Sequence, residues 1–151
     1  YPDEAWHKVM NLNVNAPFFL AREVAKRSMI PRTFGKIINI ASIAGLKGSG
    51  PGVTTVAYNT SKAAAVNLTR TLASEWGRYN INVNAICPGF FPSKMTHGLL
   101  DKIGDSVVAR APLHRLGGEE DLKGSVVFLA SEASRHITGL ALPVDGGSSI
   151  I

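Results

Sequence analysis

The sequence has a single cysteine, Cys87, among its 151 residues. One thiol cannot form a disulfide within the chain, which agrees with a reducing compartment. Long apolar runs are also absent: the longest, such as residues 37–40 and 126–130, fall far short of the roughly 20 residues that span a bilayer. The first residues lack the basic and apolar regions of a signal peptide. We therefore expect a cytoplasmic protein with no membrane partner.

Patterns typical of metal or nucleic-acid binding are missing as well. The four histidines, at positions 7, 97, 114 and 136, have neither the spacing of metal ligands nor a cysteine or carboxylate cluster nearby. The 16 basic residues give a formal charge of +5, but they are spread along the chain without a basic run or interleaved aromatic residues. We expect no metal site and no nucleic-acid partner, although the charge alone leaves a nucleic-acid-binding domain as an alternative.

What the sequence does contain is an alternation of helical and strand patterns. Apolar residues recur at helical spacing in residues 4–28, 56–79 and 119–131, which predicts three helical segments. At Pro17 we expect a kink or the local loss of one hydrogen bond. Three β-rich segments predict buried strands, which are residues 36–41, 80–86 and 141–144. The remaining segments are predicted as a turn (31–35), a loop (43–54) and a lobe with short helical patches (90–115). This order favours a parallel sheet with helical crossovers.

The chemistry is concentrated in Tyr58, sixteen residues after Ser42, and in Lys62, four residues further along the same predicted helix. Side chains at i and i+4 share one helix face, so the Lys62 ammonium can lie beside the Tyr58 phenol. A phenol ionises poorly near neutral pH, and an adjacent fixed cation favours the ionised form that can act as a base. Such a pair is by itself more often a solvated surface pair. Ser42 at a strand end and Pro88-Gly89 after the next strand favour a catalytic site.

Several motifs in order strengthen this interpretation: Asn13 at the end of Trp6-His7-Lys8-Val9-Met10-Asn11-Leu12-Asn13, then Ser42, Tyr58, Lys62, Pro88-Gly89 and Val144-Asp145-Gly146-Gly147. With these residues the chain resembles the C-terminal half of a short-chain dehydrogenase/reductase over nearly its whole length. The stretch from Cys87 to Met95 is similar to gluconate 5-dehydrogenase-like and 3-oxoacyl-reductase-like members.

The resemblance implies a role for each catalytic residue. Tyr58 would be the general acid/base that gives a proton to a substrate carbonyl oxygen or takes it from a secondary alcohol. Lys62 would support the ionised phenol and hold the nicotinamide ribose hydroxyls. Ser42 would donate a hydrogen bond to the reacting oxygen, and Asn13 would anchor a water in a proton relay through Lys62. Read singly, Ser42 could merely end a strand and Asn13 could cap or kink a helix.

The resemblance also implies a cofactor-binding set and a substrate lobe. The cofactor-binding residues would be Tyr58, Lys62, Pro88, Gly89, Phe91 and Ser93. In this set Pro88-Gly89 would open the nicotinamide pocket, or be only a turn, and Ser93 would replace the usual threonine that bonds the carboxamide. Asp145-Gly146-Gly147 is assigned a structural role.

The lobe over residues 90–115 is expected to be apolar on the side that faces the substrate, through Phe90, Phe91, Met95, Leu99 and Leu100. The interval from Ser42 to Tyr58 is about three residues longer than is common in the family, and such loop insertions cost little free energy. We therefore expect the insertion to reshape the substrate entrance without separating the catalytic hydroxyls.

A complete doubly wound domain needs two βαβαβ halves, and only three strands are predicted. The nearest approach to a Gly-rich fingerprint, Gly48-Ser49-Gly50-Pro51-Gly52, has Val53 where a third glycine is required. We therefore expect residues 1–151 to be a single partial Rossmann-type domain, the catalytic half, without the N-terminal βαβ units. NAD and NADP cannot be distinguished, because the residues that read the ribose 2′ position belong to the other half.

Two functions of different classes follow. The first is an NAD(P)-dependent oxidoreductase acting on a small-molecule carbonyl or alcohol, with the isolated 151-residue chain inactive. The alternative is a truncated, non-catalytic fragment that acts as an interaction or regulatory module. For a full-length enzyme we expect a homo-oligomer, a dimer or tetramer, because residues 4–28 and 56–79 carry apolar and small residues on more than one helix face.

Overall fold

A computed structural model describes residues 1–50, 53–94 and 96–151; Pro51 and Gly52 of the predicted loop and Met95 of the predicted lobe lie outside the described residues. The helices are α1 (Asp3–Met10), α2 (Ala16–Val24), α3 (Ile30–Arg32), α4 (Val56–Trp76), α5 (His97–Arg110) and α6 (Lys123–Ala130). The strands are β1 (Gly35–Ile40), β2 (Ile81–Pro88) and β3 (Ala141–Val144). Short 3₁₀ helices cover Ile43–Gly45, Gly77–Tyr79 and Glu132–Ser134.

The first helical segment is continuous from Asp3 to Arg32, but two π-helical stretches, Asn11–Asn15 and Ala25–Met29, interrupt its α-helical hydrogen bonding. Pro17 lies in the first turn of α2, directly after the first π-helical stretch, where its missing N–H is tolerated. The local loss of regular bonding expected at Pro17 is therefore present as a π-helical turn. Such turns are frequent at functional sites, and this one contains Asn13.

Three sequence predictions of local structure were wrong. Pro31 and Arg32 are helical rather than part of a turn, because Pro31 fits the first turn of α3 and the chain reverses only at Thr33, whose φ is +48°. The segment predicted as pure loop begins with the 3₁₀ helix Ile43–Gly45. The lobe contains one continuous helix, α5, of 14 residues. Gly98 and Gly104 lie inside α5, since a helical glycine costs about 1 kcal/mol without necessarily breaking the helix.

The three strands form one parallel sheet in the order β1-β2-β3. Gly35 pairs with Ile81 and Ile40 with Ile86, while Ala85 pairs with Ala141 and Pro88 with Val144. β2 thus extends two residues beyond the predicted end at Ile86, because Cys87 and Pro88 still pair with β3. The carboxyl ends of all three strands meet at one edge of the sheet, which is the edge where α/β proteins bind ligands.

The long helix α4 packs against β2 through two buried clusters. One contains Ala41, Ile43, Ala65, Val66, Ala85 and Cys87. The other contains Ala21, Leu72, Ala73, Ile81 and Val83. The β2 residues in these clusters are the odd-numbered ones, as expected when alternate side chains point to one face of a strand. This packing fixes α4 relative to the ends of β1 and β2, and α4 carries Tyr58 and Lys62.

Candidate active site

Ser42 is positioned by the end of β1 and by the 3₁₀ helix that follows it. Its backbone is extended, and its Oγ accepts a hydrogen bond of 3.1 Å from the backbone N–H of Ala44. This bond caps the 3₁₀ helix, so Ser42 does have a structural role at the end of β1. A hydroxyl that accepts in this way still has its own hydrogen to donate. Ser42 is buried at the carboxyl edge of the sheet.

Tyr58 and Lys62 lie one turn apart on α4, as their spacing predicted. The Nζ of Lys62 is 5.7 Å from the centroid of the Tyr58 ring and donates a hydrogen bond of 2.9 Å to the carbonyl oxygen of Ile40. Ile40 is the last residue of β1, two residues before Ser42. Burial lowers the pKa of Lys62 below its ordinary value, and the nearby Cys87 thiol partly opposes this. The ammonium thus joins the Tyr58 turn to the strand end that carries Ser42.

Close packing at Gly45 holds the Ser42 segment against α4. A Cβ at Gly45 would lie 2.5 Å from the carbonyl carbon of Lys62 and 2.6 Å from its carbonyl oxygen. Only a residue without a side chain allows the 3₁₀ helix to approach the backbone of α4 so closely. In the sequence, Gly45 is recognisable only as a loop residue, because sequence alone does not distinguish a glycine required by tertiary packing from a flexible one.

Asn13 reaches α4 through Ser61, a residue that no sequence motif singled out. Its Nδ2 donates to the Oγ of Ser61 at 3.0 Å, and Ser61 Oγ donates to the carbonyl oxygen of Tyr58 at 2.8 Å. Ser61 is fully buried. The only sequence signal for Ser61 was a small hydroxyl residue at the position immediately before Lys62. The structure therefore brings Asn13 to the turn that carries Tyr58.

Pro88 and Gly89 lie where β2 ends against β3. The N–H of Gly89 donates to the carbonyl oxygen of Val144 at 3.0 Å, and a Cβ at Gly89 would lie 2.7 Å from the Cβ of Asp145. Asp145 in turn accepts hydrogen bonds from the N–H groups of Gly147 (3.0 Å) and Ser149 (2.7 Å). The structural role expected for Asp145-Gly146-Gly147 agrees with these contacts: the turn closes the end of the sheet beside Gly89.

Phe91 and Ser93 are held in the segment between β2 and α5. Ser93 Oγ lies 2.9 Å from Thr96 Oγ1, and Thr96 Oγ1 donates to the carbonyl oxygen of Phe91 at 2.6 Å. A Cβ at Gly117 would lie 2.3 Å from the Phe91 ring, so the ring packs on Gly117. Phe91 lines a cavity of about 460 Å³ together with residues 112–113, 115–117, 121 and 143–147.

A second groove, of about 570 Å³, borders Asn13 and Lys62 rather than Phe91. It lies between α2 and β1, and its other lining residues are Leu12, Ala16, Pro17, Leu20, Ala21, Val24 and residues 36–40. Phe91 therefore lines a different cavity from Asn13 and Lys62, even though all three were predicted to serve one active site.

Cys87 lies beneath the site, fully buried on β2. Burial raises the pKa of its thiol, and the Ser42 backbone, Arg70 and Lys62 oppose this shift. Neutral and inaccessible to water, this thiol serves the packing of β2 on α4.

The described residues contain neither a metal-binding cluster nor a helix suited to a membrane. In residues 1–50, 53–94 and 96–151, no group of three or more His, Cys, Asp and Glu side chains could hold a metal ion. Across the same residues, none of the helices is both long enough and apolar enough to cross a membrane.

Known proteins with similar sequences identify the family. A family model described as enoyl-(acyl carrier protein) reductase matches residues 1–149. The chain belongs to the short-chain dehydrogenase/reductase family. It is 41% identical over 149 residues to the 2-dehydro-3-deoxy-D-gluconate 5-dehydrogenase of Dickeya dadantii. The aligned region covers 97% of this chain and 58% of that enzyme. It is 40% identical over 149 residues to the 3-oxoacyl-[acyl-carrier-protein] reductase FabG of Rickettsia felis, covering 99% and 60% of the two chains.

A solved structure agrees with this assignment. The gluconate 5-dehydrogenase of Burkholderia cenocepacia, crystallised with NADP and tartrate, is 35% identical to this short-chain dehydrogenase/reductase chain. The two superpose with a TM-score of 0.93 over 100% of this chain and 58% of that structure. This chain thus spans less than two thirds of the relatives that it matches. The predicted family and the predicted fold class, part of a Rossmann-type domain, are confirmed.

Proposed function

We propose that the full-length form of this protein is an NAD(P)-dependent oxidoreductase that interconverts a carbonyl and a secondary alcohol by hydride transfer. The contact pattern of Lys62 carries the proposal. Its ammonium lies 5.7 Å from the Tyr58 ring centroid and bonds the carbonyl oxygen of Ile40, two residues before Ser42. A phenol, a cation and a hydroxyl at one sheet edge are the groups that acid–base chemistry on a carbonyl requires.

A nicotinamide dinucleotide, NAD or NADP, fits the donors present. The Lys62 ammonium and the Tyr58 phenol can both bond ribose hydroxyls, and the two groups lie together, with Nζ 5.7 Å from the ring centroid. The Burkholderia cenocepacia relative contains NADP. When bound, the nicotinamide supplies or accepts the hydride. Pro88, Gly89, Phe91 and Ser93 complete the proposed cofactor-binding set, although Phe91 packs on Gly117 and lines the separate cavity.

The proposed roles follow from the contacts of each side chain. Tyr58 gives its phenolic proton to the carbonyl oxygen during reduction and takes it from the alcohol during oxidation. Lys62 stabilises the phenolate between these steps. Ser42 donates its hydroxyl hydrogen to the reacting oxygen, because its Oγ already accepts a hydrogen bond from the N–H of Ala44. Asn13 anchors a water in the proton relay, and its bond to Ser61 supports a further role in holding the Tyr58 turn.

The substrate is proposed to be a small carbonyl or alcohol compound. Relatives are named for sugar-acid and 3-oxoacyl substrates, so D-gluconate and acetoacetyl-CoA are suitable probes, each assayed with NAD and with NADP. Whichever probe is turned over, the reaction is followed by the absorbance of the reduced nicotinamide.

Variants of the full-length form test the catalytic assignment. Tyr58→Phe should lower kcat by at least ~100-fold, the typical contribution of positioned proton transfer, while the affinity for the cofactor stays nearly intact. Lys62→Ala should damage both turnover and cofactor affinity, because the ammonium is expected to form the stronger, charge-assisted hydrogen bonds to the ribose. Tyr79→Phe, outside the site, is the matched control. Near-normal turnover of Tyr58→Phe would contradict the mechanism.

The full-length form is further proposed to be a cytoplasmic homo-oligomer. Large apolar side chains remain exposed on the first helical segment, namely Leu12, Phe19, Leu20 and Val24, and on α6, namely Val126, Val127 and Phe128. Such surface favours association. The exposure on the first helical segment supports the predicted interface. The second predicted helix, α4, has only Val56 among its exposed large apolar residues. The exposed residues of α6 were not part of the prediction. Light scattering of the full-length form distinguishes an oligomer from a monomer.

A further inference from the structure

The long segment between Ser42 and Tyr58 is attached to the catalytic helix by side-chain hydrogen bonds. Asn59, the residue after Tyr58, donates from Nδ2 to the Oγ of Ser49 at 3.1 Å and to the carbonyl oxygen of Lys47 at 3.4 Å. The Oγ of Ser49 lies 2.6 Å from the Oγ1 of Thr55. These contacts fix the segment on both sides of residues 51 and 52.

Lys47 extends this connection to the other end of the chain. Its Nζ donates to the carbonyl oxygen of Ser148, in the turn after β3, and to that of Ile151 at 3.3 Å. That turn is itself fixed, because the Asp145 carboxylate accepts the N–H groups of Gly147 and Ser149. Asn59 and Lys47 therefore connect the first turn of α4, the Ser42–Tyr58 loop and the turn after β3. We call these connections the clasp.

The clasp lies beside the proposed catalytic residues. Lys47 is five residues after Ser42, and Asn59 is adjacent to Tyr58. A substrate that approaches these two hydroxyls meets the segment that joins them. If Lys47, Ser49 and Thr55 were free, they would lose conformational entropy each time a substrate bound beside them, whereas residues already held by hydrogen bonds lose less. The clasp should therefore contribute to substrate affinity rather than to the chemical step.

On the basis of the function proposed above, we propose that Asn59 and Lys47 are positioning residues that determine substrate affinity and make the turn after β3 a wall of the substrate entrance. Neither side chain is needed for proton transfer. Both act by holding the segment after Ser42 in one arrangement, and their effects depend on each other because they form consecutive links of the clasp.

Kinetics of the full-length form test the proposal, with D-gluconate and acetoacetyl-CoA as probes. Lys47→Met removes the bonds to Ser148 and Ile151 and should raise KM for the substrate about five-fold or more. The kcat and the KM for the cofactor should stay within about two-fold of the parent. Lys47→Arg, which keeps a donor for Ser148, should restore KM. The double variant Lys47→Met/Asn59→Ala should change KM by less than the product of the single changes. A parent-like KM in Lys47→Met, or fully multiplicative effects, would overturn the proposal.

Amide hydrogen exchange of the same full-length protein gives a readout that does not depend on activity. Asn59→Ala should accelerate exchange about five-fold or more at residues 145–149, to which Lys47 connects Asn59 in the part of the chain that the structure describes. Unchanged exchange there would overturn the clasp even if the enzyme is active. Tyr58→Phe should abolish turnover and leave this exchange unchanged. If Tyr58→Phe remains active while the clasp variants alter exchange, the proposed mechanism fails and the clasp stands.

Discussion

At the scale of single residues, the adjacent Ser61 and Lys62 connect one helical turn of α4 to two different parts of the fold. Lys62 points to the end of β1, while the adjacent Ser61 points inward and bonds Asn13 and the Tyr58 carbonyl oxygen. The backbone of the proposed catalytic tyrosine is thus held by its neighbour Ser61. This arrangement fixes the backbone of Tyr58 without using its phenol.

Replacing Ser61 by alanine tests this arrangement. Ser61→Ala removes two hydrogen bonds from a fully buried position and leaves the Asn13 amide without its acceptor, so the free energy of unfolding of the full-length form should fall by roughly 1–3 kcal/mol. Turnover should also fall, because the Tyr58 turn is less well held. Chemical denaturation measures the first effect. Thr60→Ala, an exposed neighbour on the same helix, should change stability by less than about 0.5 kcal/mol.

The ion pair of Arg115 and Asp121 predicts a pH dependence. Arg115 Nη1 and Nη2 donate to the Asp121 carboxylate at 2.6 and 3.1 Å, and the N–H of Gly118 donates to it as well. These contacts lower the pKa of Asp121 from 3.8 to about 2, with the Arg115 hydrogen bond as the largest cause. A carboxyl whose pKa is lower in the folded state stabilises the fold above its unfolded pKa and loses that effect as pH falls through the folded pKa.

The measurement compares the full-length parent with Asp121→Asn between pH 7 and pH 2. The difference in their free energies of unfolding should be constant above about pH 5 and shrink between pH 3.8 and about 2. Glu120→Gln, an exposed neighbour, should not reproduce this loss. A difference that stays constant down to pH 2 would show that the pair does not act on the Asp121 carboxyl.

At the scale of elements, the site depends on how closely the segment after β1 approaches α4. Gly45→Ala would place a Cβ 2.5 Å from the backbone of Lys62, which cannot move as a flexible side chain could. The substitution should lower the free energy of unfolding by ~1–3 kcal/mol and reduce turnover, because Ser42 and Lys62 are pushed apart. Thermal melts and steady-state kinetics of the full-length form measure both effects.

Gly48→Ala is the matched control for this prediction. A Cβ at Gly48 has no described neighbour within 4 Å, so stability and turnover should stay close to the parent values. Equal effects of the two substitutions would mean that backbone flexibility, rather than close packing, explains the glycine at position 45.

At the scale of the whole molecule, three strands and their helices form only part of a Rossmann-type domain. The groove along β1 and the exposed Ile40 show an apolar surface at one side of the sheet. Pyrophosphate binding in this fold uses a Gly-rich turn and the N-terminus of the following helix, and residues 1–151 contain no such fingerprint. These residues therefore contain the proposed catalytic residues but not this phosphate-binding fingerprint.

We predict that the 151-residue chain alone binds neither NAD nor NADP tightly and has no dehydrogenase activity. It should also aggregate readily, because a parallel-sheet edge and apolar side chains are exposed. Titration of the purified chain with each dinucleotide, followed by fluorescence and thermal melting, measures this. Saturable binding at micromolar concentration with an increase in Tm would contradict the prediction, and the full-length form is the positive control.

The sequence by itself determined the parts of this protein that depend on local spacing. The i, i+4 spacing placed Tyr58 and Lys62 on one helix face, and the alternation of elements predicted the parallel sheet and its three strands. The end of β3 was predicted to the residue, and β1 and α4 to within one to three residues. These features follow from helical periodicity, β-rich runs and the order of elements, all of which are written along the chain.

Only the tertiary structure decided which distant residues meet. Three contacts join positions far apart in sequence: Gly45 with Lys62, Asn13 with Ser61, and Lys47 with the turn after β3. No local pattern distinguishes the residues in these contacts from flexible or solvated ones. The continuous helix α5 was missed for a related reason, since two glycines lower helix propensity without forbidding a helix. Periodicity reports which face of an element is buried, whereas the partner of that face depends on how the elements pack.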